Sequence, residues 1–199
     1  MLYPFQRLLD FVFPPTEHEL LLRTVSPTRF VSWYQPGSKD SIEYLAPYHL
    51  PCIQAAITAC KFEHSFKAAR LLGALIDTHL QSLPPKKTLL IPVPLSLKRE
   101  RERGFNQVER ALSYVGSAPY PVNVLSNIVR RTKHTEAQTS LNRAKRIDNV
   151  THAFTAVPTQ VHMLKNYERI ILCDDVCTTG STLKAVKATL APHISPNTE

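Results

Sequence analysis

The chain has 199 residues, of which 43% are hydrophobic and 20% charged, and its formal net charge is +8 at pH 7. Such a composition supplies a substantial core and excludes an intrinsically disordered protein. No apolar run reaches the roughly 18 residues of a membrane-spanning helix, and the N-terminus lacks the basic stretch and small-residue cleavage site of a secretory signal. We therefore expect one main domain with an accessory segment, and we expect the protein in the cytoplasm.

Residues 1–50 are predicted to form an accessory cap or hairpin, and residues 51–199 the main domain. In the first segment, apolar and aromatic side chains occur at mixed spacing around two adjacent prolines. In the second, apolar residues recur at intervals of three and four between residues 65 and 80, which predicts an amphipathic helix. The apolar run 89–93 predicts a short buried strand.

The four cysteines are expected to be reduced thiols, since one falls in a predicted strand and one in a predicted ligand loop, which are poor positions for a disulfide framework. The alternative is a zinc site built from His49, Cys52, Cys60 and His64. The residues after Cys60 are typical of a helix, and no two cysteines are separated by two residues as in many zinc modules. We therefore expect no zinc.

The strand at 89–93 leads into a charged stretch, 95–104, which is predicted to be a loop. Arg99 and Arg103 in this loop carry planar guanidinium groups that suit the oxygens of a diphosphate. A helix is predicted to follow, with an apolar face formed by Phe105, Val108, Leu112 and Val115. The alternative is that the charged stretch is the solvated start of this helix.

Positive charge is concentrated between Lys98 and Arg146, where eleven Lys or Arg residues accompany four Glu. Such a block suits a diphosphate, a nucleic acid or a solvated face, and charge alone does not separate these. Residues 121–129 are predicted to form a strand, and the polar segment 130–149 a mobile lid over an anionic ligand. A weakly alternating strand is predicted at 153–157.

The strongest functional signal lies at the end of another apolar run, 170–173, which predicts a parallel strand buried on both faces. Asp174 and Asp175 follow at its carboxyl end, where open α/β sheets bind ligands. Two adjacent carboxylates can accept hydrogen bonds from the vicinal hydroxyls of a ribose or approach a magnesium ion. This acidic pair is therefore the candidate catalytic and magnesium-binding site.

A phosphate-binding loop is predicted directly after the acidic pair, formed by Thr178, Thr179, Gly180, Ser181 and Thr182. Its small side chains allow backbone N–H groups to surround a phosphate at the start of a helix. Leu183, Val186 and Leu190 give that helix an apolar stripe. The alternative is an acidic turn in which Thr and Ser are only helix caps and turn formers.

The alternation of strands and helices predicts an α/β fold, with a mainly parallel sheet flanked by helices and joined by right-handed crossovers. The loops after residues 93 and 173 are then expected to meet at the carboxyl edge of the sheet. This arrangement would bring Arg99 and Arg103 to the diphosphate end of a ligand held by the acidic pair.

Over roughly residues 55–190, the chain resembles the ComF family of competence proteins. The resemblance rests on five motifs in order: Lys61-Phe62, Ile91-Pro92-Val93-Pro94, Arg103-Gly104-Phe105-Asn106-Gln107, the run from Gln138 to Asn149 with Ala153-Phe154, and the run from Asp174 to Thr182. It implies a type I phosphoribosyltransferase-like fold, phosphoribosyl diphosphate and magnesium as ligands, and a role in DNA uptake or the use of DNA. It implies no particular acceptor base.

The chain departs from the family pattern at both ends. Family members often begin with a four-cysteine zinc module, whereas no cysteine precedes Cys52 here, so zinc is not carried over. They usually continue from the ligand-loop helix into another apolar strand, whereas residues 191–199 are interrupted by prolines. We therefore expect a shortened C-terminus without that sheet-edge strand, a less well covered ligand-loop helix, and lower stability or activity.

Two functions are compatible with these residues. In the first, a phosphoribosyltransferase, the acidic pair stabilises positive charge at the anomeric carbon, and Arg99 and Arg103 bind the leaving diphosphate. In the second, a non-catalytic protein binds single-stranded DNA, with Phe105 stacking on a base and the pocket kept as a sensor. Helical spacing favours a core position for Phe105, and aromatic residues are not interleaved with the basic block, so we prefer the first. A homo-oligomer or contact with a DNA-uptake machinery is a further expectation.

Overall fold

The computed structural model describes residues 14–132 and 153–199. The predictions for the apolar stretch before residue 14, and for most of the lid at 130–149, lie outside the described residues. Within the described residues, no helix has both the length and the apolar character needed to cross a membrane.

The N-terminal part contains two short helices and a hairpin: α1 Glu17–Arg23, α2 Pro27–Val31, β1 Gly37–Lys39 and β2 Ile42–Tyr44. Helix α1 begins where the Thr16 hydroxyl accepts the Glu19 N–H at 3.1 Å. Leu22 and Phe30 are buried in the same apolar cluster as helices from the main domain. The first segment therefore shares a core with the second, and the boundary near residue 50 stays a prediction.

Helices α3 Pro51–Phe62 and α4 Phe66–Ser82 complete that core. Helix α4 confirms the helix predicted at 65–80. It begins where the Ser65 hydroxyl accepts the Ala68 N–H at 3.2 Å, and it ends before the two prolines that follow.

The central sheet consists of β3 Thr88–Pro92, β4 Val122–Val124 and β7 Arg169–Cys173, in the order β4-β3-β7 with both pairs parallel. The predicted parallel arrangement is confirmed for this sheet. The prediction that 170–173 is buried on both faces is confirmed in part, since Ile170 and Leu172 pack against one apolar cluster and Ile171 and Cys173 against another. The four residues are only partly buried, because β7 lies at the edge of the sheet formed by the described residues. The fully buried strand is β3, and an uncharged apolar run does not specify which place in the sheet a strand takes.

The prediction of a loop at 95–104 is wrong, because residues Leu97–Arg103 form helix α5. The Ser96 hydroxyl accepts the Arg99 N–H at 3.3 Å, and Gly104 ends the helix with a left-handed backbone (φ 72°). Helix α5 buries no residue, so it has no apolar stripe by which periodicity could predict it. The next helix, α6, is also shorter than predicted and spans Gln107–Leu112, which leaves Phe105 between the two helices.

The prediction of a single strand at 121–129 is wrong, because this stretch contributes to two separate strands. The chain leaves the central sheet after β4, and β5 Val129–Arg131 pairs antiparallel with β6 Phe154–Ala156. The strand predicted at 153–157 is confirmed as β6. The split accompanies tertiary packing, since the Ile128 and Val129 side chains are buried in one cluster with residues of β3, β6 and the C-terminal helix Ser181–Leu190.

Helix α7 Ser181–Leu190 confirms the helix predicted after the phosphate-binding loop. Val186 and Leu190 are fully buried, while Lys184 and Lys187 are exposed. Two 3₁₀ helices, Val161–Asn166 and Ala191–His193, flank this part of the core. At the C-terminus, the Glu199 N–H donates to the Glu168 carbonyl at 2.9 Å and the Glu199 carbonyl accepts the Ile170 N–H at 3.0 Å. The last residue therefore pairs with the start of β7, and no further strand follows α7 in the described residues.

Candidate functional site at the carboxyl edge of the sheet

Strands β3 and β7 end side by side, with Pro92 opposite Cys173. The Val93 N–H donates to the Cys173 carbonyl at 2.8 Å just beyond the last paired residues. The loops after residues 93 and 173 therefore begin next to each other at the carboxyl edge of the sheet, which confirms that prediction.

Asp175 is held by two residues from distant parts of the chain. The Lys61 ammonium at the end of α3 lies 2.8 Å from its Oδ1 atom, and the Gln107 amide at the start of α6 donates to its Oδ2 atom. The Lys61 and Asp175 side chains are 17% and 12% exposed, so water screens this ion pair only weakly. Asp175 is thus fixed in orientation and compensated in charge.

Arg103 acts on the acidic pair through Gln107. Its guanidinium donates to the Gln107 Oε1 atom at 2.8 Å and lies 5.1 Å from the centre of the Phe62 ring. Because its Oε1 atom accepts from Arg103, Gln107 presents its amide group to Asp175. Arg103 therefore positions the amide that holds Asp175.

Asp174 is in a different environment. It retains solvent-exposed surface, and its Oδ1 atom accepts the Asp175 N–H at 2.9 Å. The pKa of Asp174 is raised to about 6, mainly because neighbouring protein groups bury the carboxyl and because the Asp175 charge lies beside it. The hydrogen bond from Asp175 and the charges of Lys61 and Arg99 act in the opposite direction. Asp174 is therefore the more solvent-accessible member of the pair.

Arg131, at the end of β5, also lies within electrostatic reach of this carboxylate. Burial lowers the pKa of Arg131, the Arg99 charge lowers it further, and the Asp174 charge raises it. Its guanidinium lies 5.4 Å from the centre of the Phe154 ring. The basic side of the site thus includes a residue from the small antiparallel pair.

The predicted phosphate-binding loop forms a shallow recess of about 30 Å³, lined by Asp174 and residues 176–183. Gly180 begins helix α7 with a left-handed backbone (φ 67°), and a Cβ at this position would collide with the Ile42 side chain of the β1–β2 hairpin. The Thr179 hydroxyl accepts the Ser181 N–H at 3.4 Å. The shape of the recess therefore depends on a glycine and on contact with the N-terminal hairpin.

A second cavity, of about 220 Å³, is connected to the acidic pair through Lys61, which lines the cavity and is paired with Asp175. Its lining consists of three cations, one carboxylate and two rings: Lys61, Arg99, Arg103, Glu102, Phe62 and His64. The surplus of positive charge makes this cavity suitable for an anionic group.

Comparison with known proteins gives a consistent family relationship. The chain is 34% identical over 164 residues to competence protein F of Haemophilus influenzae, a match that covers 78% of this chain and 69% of the relative. It is 29% identical over 130 residues to competence protein ComFC of Streptococcus pneumoniae, covering 65% of this chain and 53% of that relative. The chain belongs to the ComF family. No family model and no solved structure matches it significantly.

In this ComF-family protein, the predicted site residues fall into two groups. Asp174, Asp175 and the loop 178–182 lie together, and the Arg99 charge acts on Asp174. Arg103 lines the neighbouring cavity, but its hydrogen bond within the site goes to Gln107. The predicted catalytic and ligand-binding roles of all these residues stay predictions.

Sequence reasoning assigned Lys61 and Gln107 no role, and it assigned Arg131 no role in the sugar-phosphate site. Lys61 and Gln107 belong to the motifs that carry the family resemblance, so a signal for both was present in the sequence. Arg131 was placed only within the general basic block. Its position beside Asp174 follows from the antiparallel pairing of β5 with β6, which has no local signal in the sequence.

The residues of the acidic pair fit a magnesium ion. Magnesium is typically bound through one or two carboxylates together with substrate phosphates. The described residues contain no cluster of three or more His, Cys, Asp or Glu side chains that could hold a metal by themselves. Binding of a magnesium ion together with an anionic ligand stays a prediction for this site.

The four residues of the alternative zinc site do not form such a cluster in the described part of the chain. Cys60 is fully buried, its thiol donates to the Gln107 carbonyl at 3.7 Å, and burial raises its pKa to about 11. A buried thiol of this kind packs α3 against the start of α6. All four cysteines are free thiols.

Proposed function

We propose that this ComF-family protein binds phosphoribosyl diphosphate with magnesium and acts in the uptake or use of DNA. The observation that carries the proposal is that Asp174 lines a recess rich in hydroxyl groups, while Asp175 is paired with Lys61, one of three cations that line a neighbouring cavity. Phosphoribosyl diphosphate has the same order of groups, with a phosphate, a sugar diol and a diphosphate. The names of the two relatives support the link to competence.

The 5-phosphate would occupy the recess at the start of α7. Backbone N–H groups there and the hydroxyls of Thr178, Thr179, Ser181 and Thr182 are donors for its oxygens, and the helix terminus favours negative charge. Asp174 lines the same recess and retains exposed surface, so its carboxylate would accept hydrogen bonds from the ribose hydroxyls.

The diphosphate would occupy the basic cavity. Arg99 is its first candidate partner, because its charge already acts on Asp174 and its side chain is exposed. Lys61 lines the cavity while it is paired with Asp175. A diphosphate would compete with Asp175 for the Lys61 ammonium, so ligand binding would free the Asp175 carboxylate for magnesium or the ribose.

Magnesium would be held by Asp174 and Asp175, and when bound it supplies positive charge that neutralises the diphosphate. Transfer of the phosphoribosyl group to an acceptor would break the bond between the anomeric carbon and a diphosphate oxygen. The acidic pair would then stabilise the cationic sugar, while Arg99 and Arg103 would stabilise the leaving diphosphate. No covalent nucleophile is needed for this reaction, so no such role falls to Cys177.

Calorimetric titration with phosphoribosyl diphosphate, with and without magnesium, tests the proposal. We expect binding that requires magnesium and is lost in the double variant Asp174→Asn, Asp175→Asn. Glu17→Gln neutralises an exposed carboxylate in α1 and serves as the control, which should bind as the wild type does. A folded wild-type protein that binds no phosphoribosyl diphosphate, or a double variant that binds it unchanged, would contradict the proposal.

A further inference from the structure

Both oxygens of the Asp175 carboxylate have a partner within the protein. The Lys61 ammonium lies 2.8 Å from Oδ1, and the Gln107 amide donates to Oδ2. Gln107 is neutral and is itself fixed by Arg103, so it holds the carboxylate in place without compensating its charge. Lys61 is therefore the partner that decides whether Asp175 can accept another cation.

A magnesium ion and the Lys61 ammonium compete for Asp175. Magnesium binds carboxylate oxygens at about 2.1 Å, using one or two carboxylates. A cation that already lies beside a carboxylate repels a second cation, and water screens this repulsion only weakly because the Lys61 and Asp175 side chains are largely buried. Magnesium without a ligand therefore meets an Asp175 carboxylate whose charge is already compensated.

Lys61 also belongs to the basic cavity, which it lines together with Arg99 and Arg103. The hydroxyl-rich recess is different, because the described residues that line it include neither Lys61 nor any Arg. An anion in the basic cavity therefore contacts Lys61, whereas an anion in the recess does not. A diphosphate carries more negative charge than the Asp175 carboxylate, so it is the stronger partner for the ammonium group.

We propose that Lys61 determines the specificity of this site for ligands that carry a diphosphate, because its ammonium group keeps magnesium from Asp175 until a diphosphate in the basic cavity binds Lys61 instead. This inference rests on the proposed function and adds which part of the ligand admits the metal. A ligand with only a 5-phosphate, such as ribose 5-phosphate, occupies the recess and leaves the ion pair intact. Metal and diphosphate strengthen each other's binding, and linkage requires both effects to be equal.

Titration with Mn²⁺ tests the proposal, because Mn²⁺ takes the same oxygen ligands as Mg²⁺ and its binding to a protein increases the relaxation rate of water protons. The metal is added to the full chain without a ligand, with pyrophosphate, and with ribose 5-phosphate. We expect pyrophosphate to strengthen Mn²⁺ binding about tenfold or more, and ribose 5-phosphate to leave it unchanged. The Asp174→Asn, Asp175→Asn variant with pyrophosphate gives the signal of metal bound to pyrophosphate without the acidic pair.

Variants at Lys61 test its role directly. Lys61→Gln removes the charge but keeps a donor for Asp175, so it should bind Mn²⁺ without pyrophosphate about tenfold or more tightly than the wild type. Magnesium without a ligand should then raise the unfolding temperature of Lys61→Gln and leave that of the wild type unchanged. Lys61→Arg keeps a cation and should restore the dependence on pyrophosphate. Lys86→Gln removes an ion pair with Glu199 at the opposite end of the sheet and should bind metal as the wild type does.

Equal Mn²⁺ affinity of the wild type with and without pyrophosphate would overturn the inference, and so would ribose 5-phosphate that admits the metal as well as pyrophosphate does. These wild-type titrations decide the question even if Lys61→Gln does not fold. Equal affinity of the wild type and a folded Lys61→Gln for Mn²⁺ without a ligand would overturn it as well. Failure of the proposed function is a separate result, since a wild type that binds no phosphoribosyl diphosphate would still gain metal binding on Lys61→Gln substitution if Lys61 blocks Asp175.

Discussion

The phosphate-binding loop and the basic cavity are neighbours in space, but they are built in different ways. The loop takes its acidic pair, hydroxyls and helix start from one continuous stretch after β7. The cavity takes its side chains from the end of α3 and the turn after it, and from helix α5, which lies far away in the chain. A function carried by consecutive residues can be recognised in the sequence, whereas one assembled from distant helices depends on how the helices pack.

The ion pair between Lys61 and Asp175 joins the two regions, and its removal should have the largest effect. Lys61→Met leaves the Asp175 carboxylate largely buried and without its cation, so we expect the free energy of unfolding to fall by about 3 kcal/mol. Urea denaturation measures this change. Asp175→Asn in the same background should restore much of the loss, and strictly additive effects of the two substitutions would show that the pair does not couple the regions.

The stabilities of alanine variants at Gly180 and Gly104 show how strongly the N-terminal hairpin constrains the phosphate-binding loop. Both glycines have a left-handed backbone, but a Cβ at Gly180 would meet Ile42, whereas no atom lies within 4 Å of a Cβ at Gly104. Gly104→Ala should therefore cost about 1 kcal/mol, from backbone conformation alone, and Gly180→Ala about 2 kcal/mol or more.

Thermal or urea unfolding of the two variants provides the comparison. Ile42→Ala in the Gly180→Ala background should recover part of the extra loss, because it removes the side chain that the new methyl group meets. Equal losses at the two glycines would mean that the hairpin does not constrain the loop.

The pH dependence of stability should show the smallest effect. The pKa of Asp174 is raised from 3.8 to about 6, so the folded protein binds this proton more tightly than the unfolded chain. The resulting stabilisation is present below pH 3.8 and is lost as the pH rises to about 6. After allowance for the exposed surface of the side chain, we expect a loss of about 1 kcal/mol.

Unfolding in magnesium-free buffer across this range measures the loss, with Asp174→Asn as the reference that lacks the titrating group. The wild type should lose stability relative to Asp174→Asn as the pH rises. A difference that stays constant, or that changes in the opposite direction, would show that burial and the Asp175 charge do not raise the pKa of Asp174.

Much of the main domain could be predicted because its elements have local signals. The stripe of α4, the apolar run of β3 and the strand, acidic pair and helix around Asp174 each lie within a short stretch of sequence. Helix α5 was missed because it buries nothing and is defined by the Ser96 cap and Gly104. The edge position of β7 and the split of residues 121–131 depend on strand pairing, which a single apolar run does not specify.

The sequence by itself determined which chemical groups lie at the end of β7. Two carboxylates, a hydroxyl-rich turn and the start of a helix are consecutive in the chain, so they are also neighbours in the folded protein. Only the tertiary structure decided that Lys61 and Gln107 hold Asp175, that Arg131 lies near Asp174, and that Phe62 lies beside Arg103. These relations join residues far apart in the chain, and their distances are set by the packing of α3 against α4 and of α4 and α6 against the sheet. Local propensity carries no information about such packing.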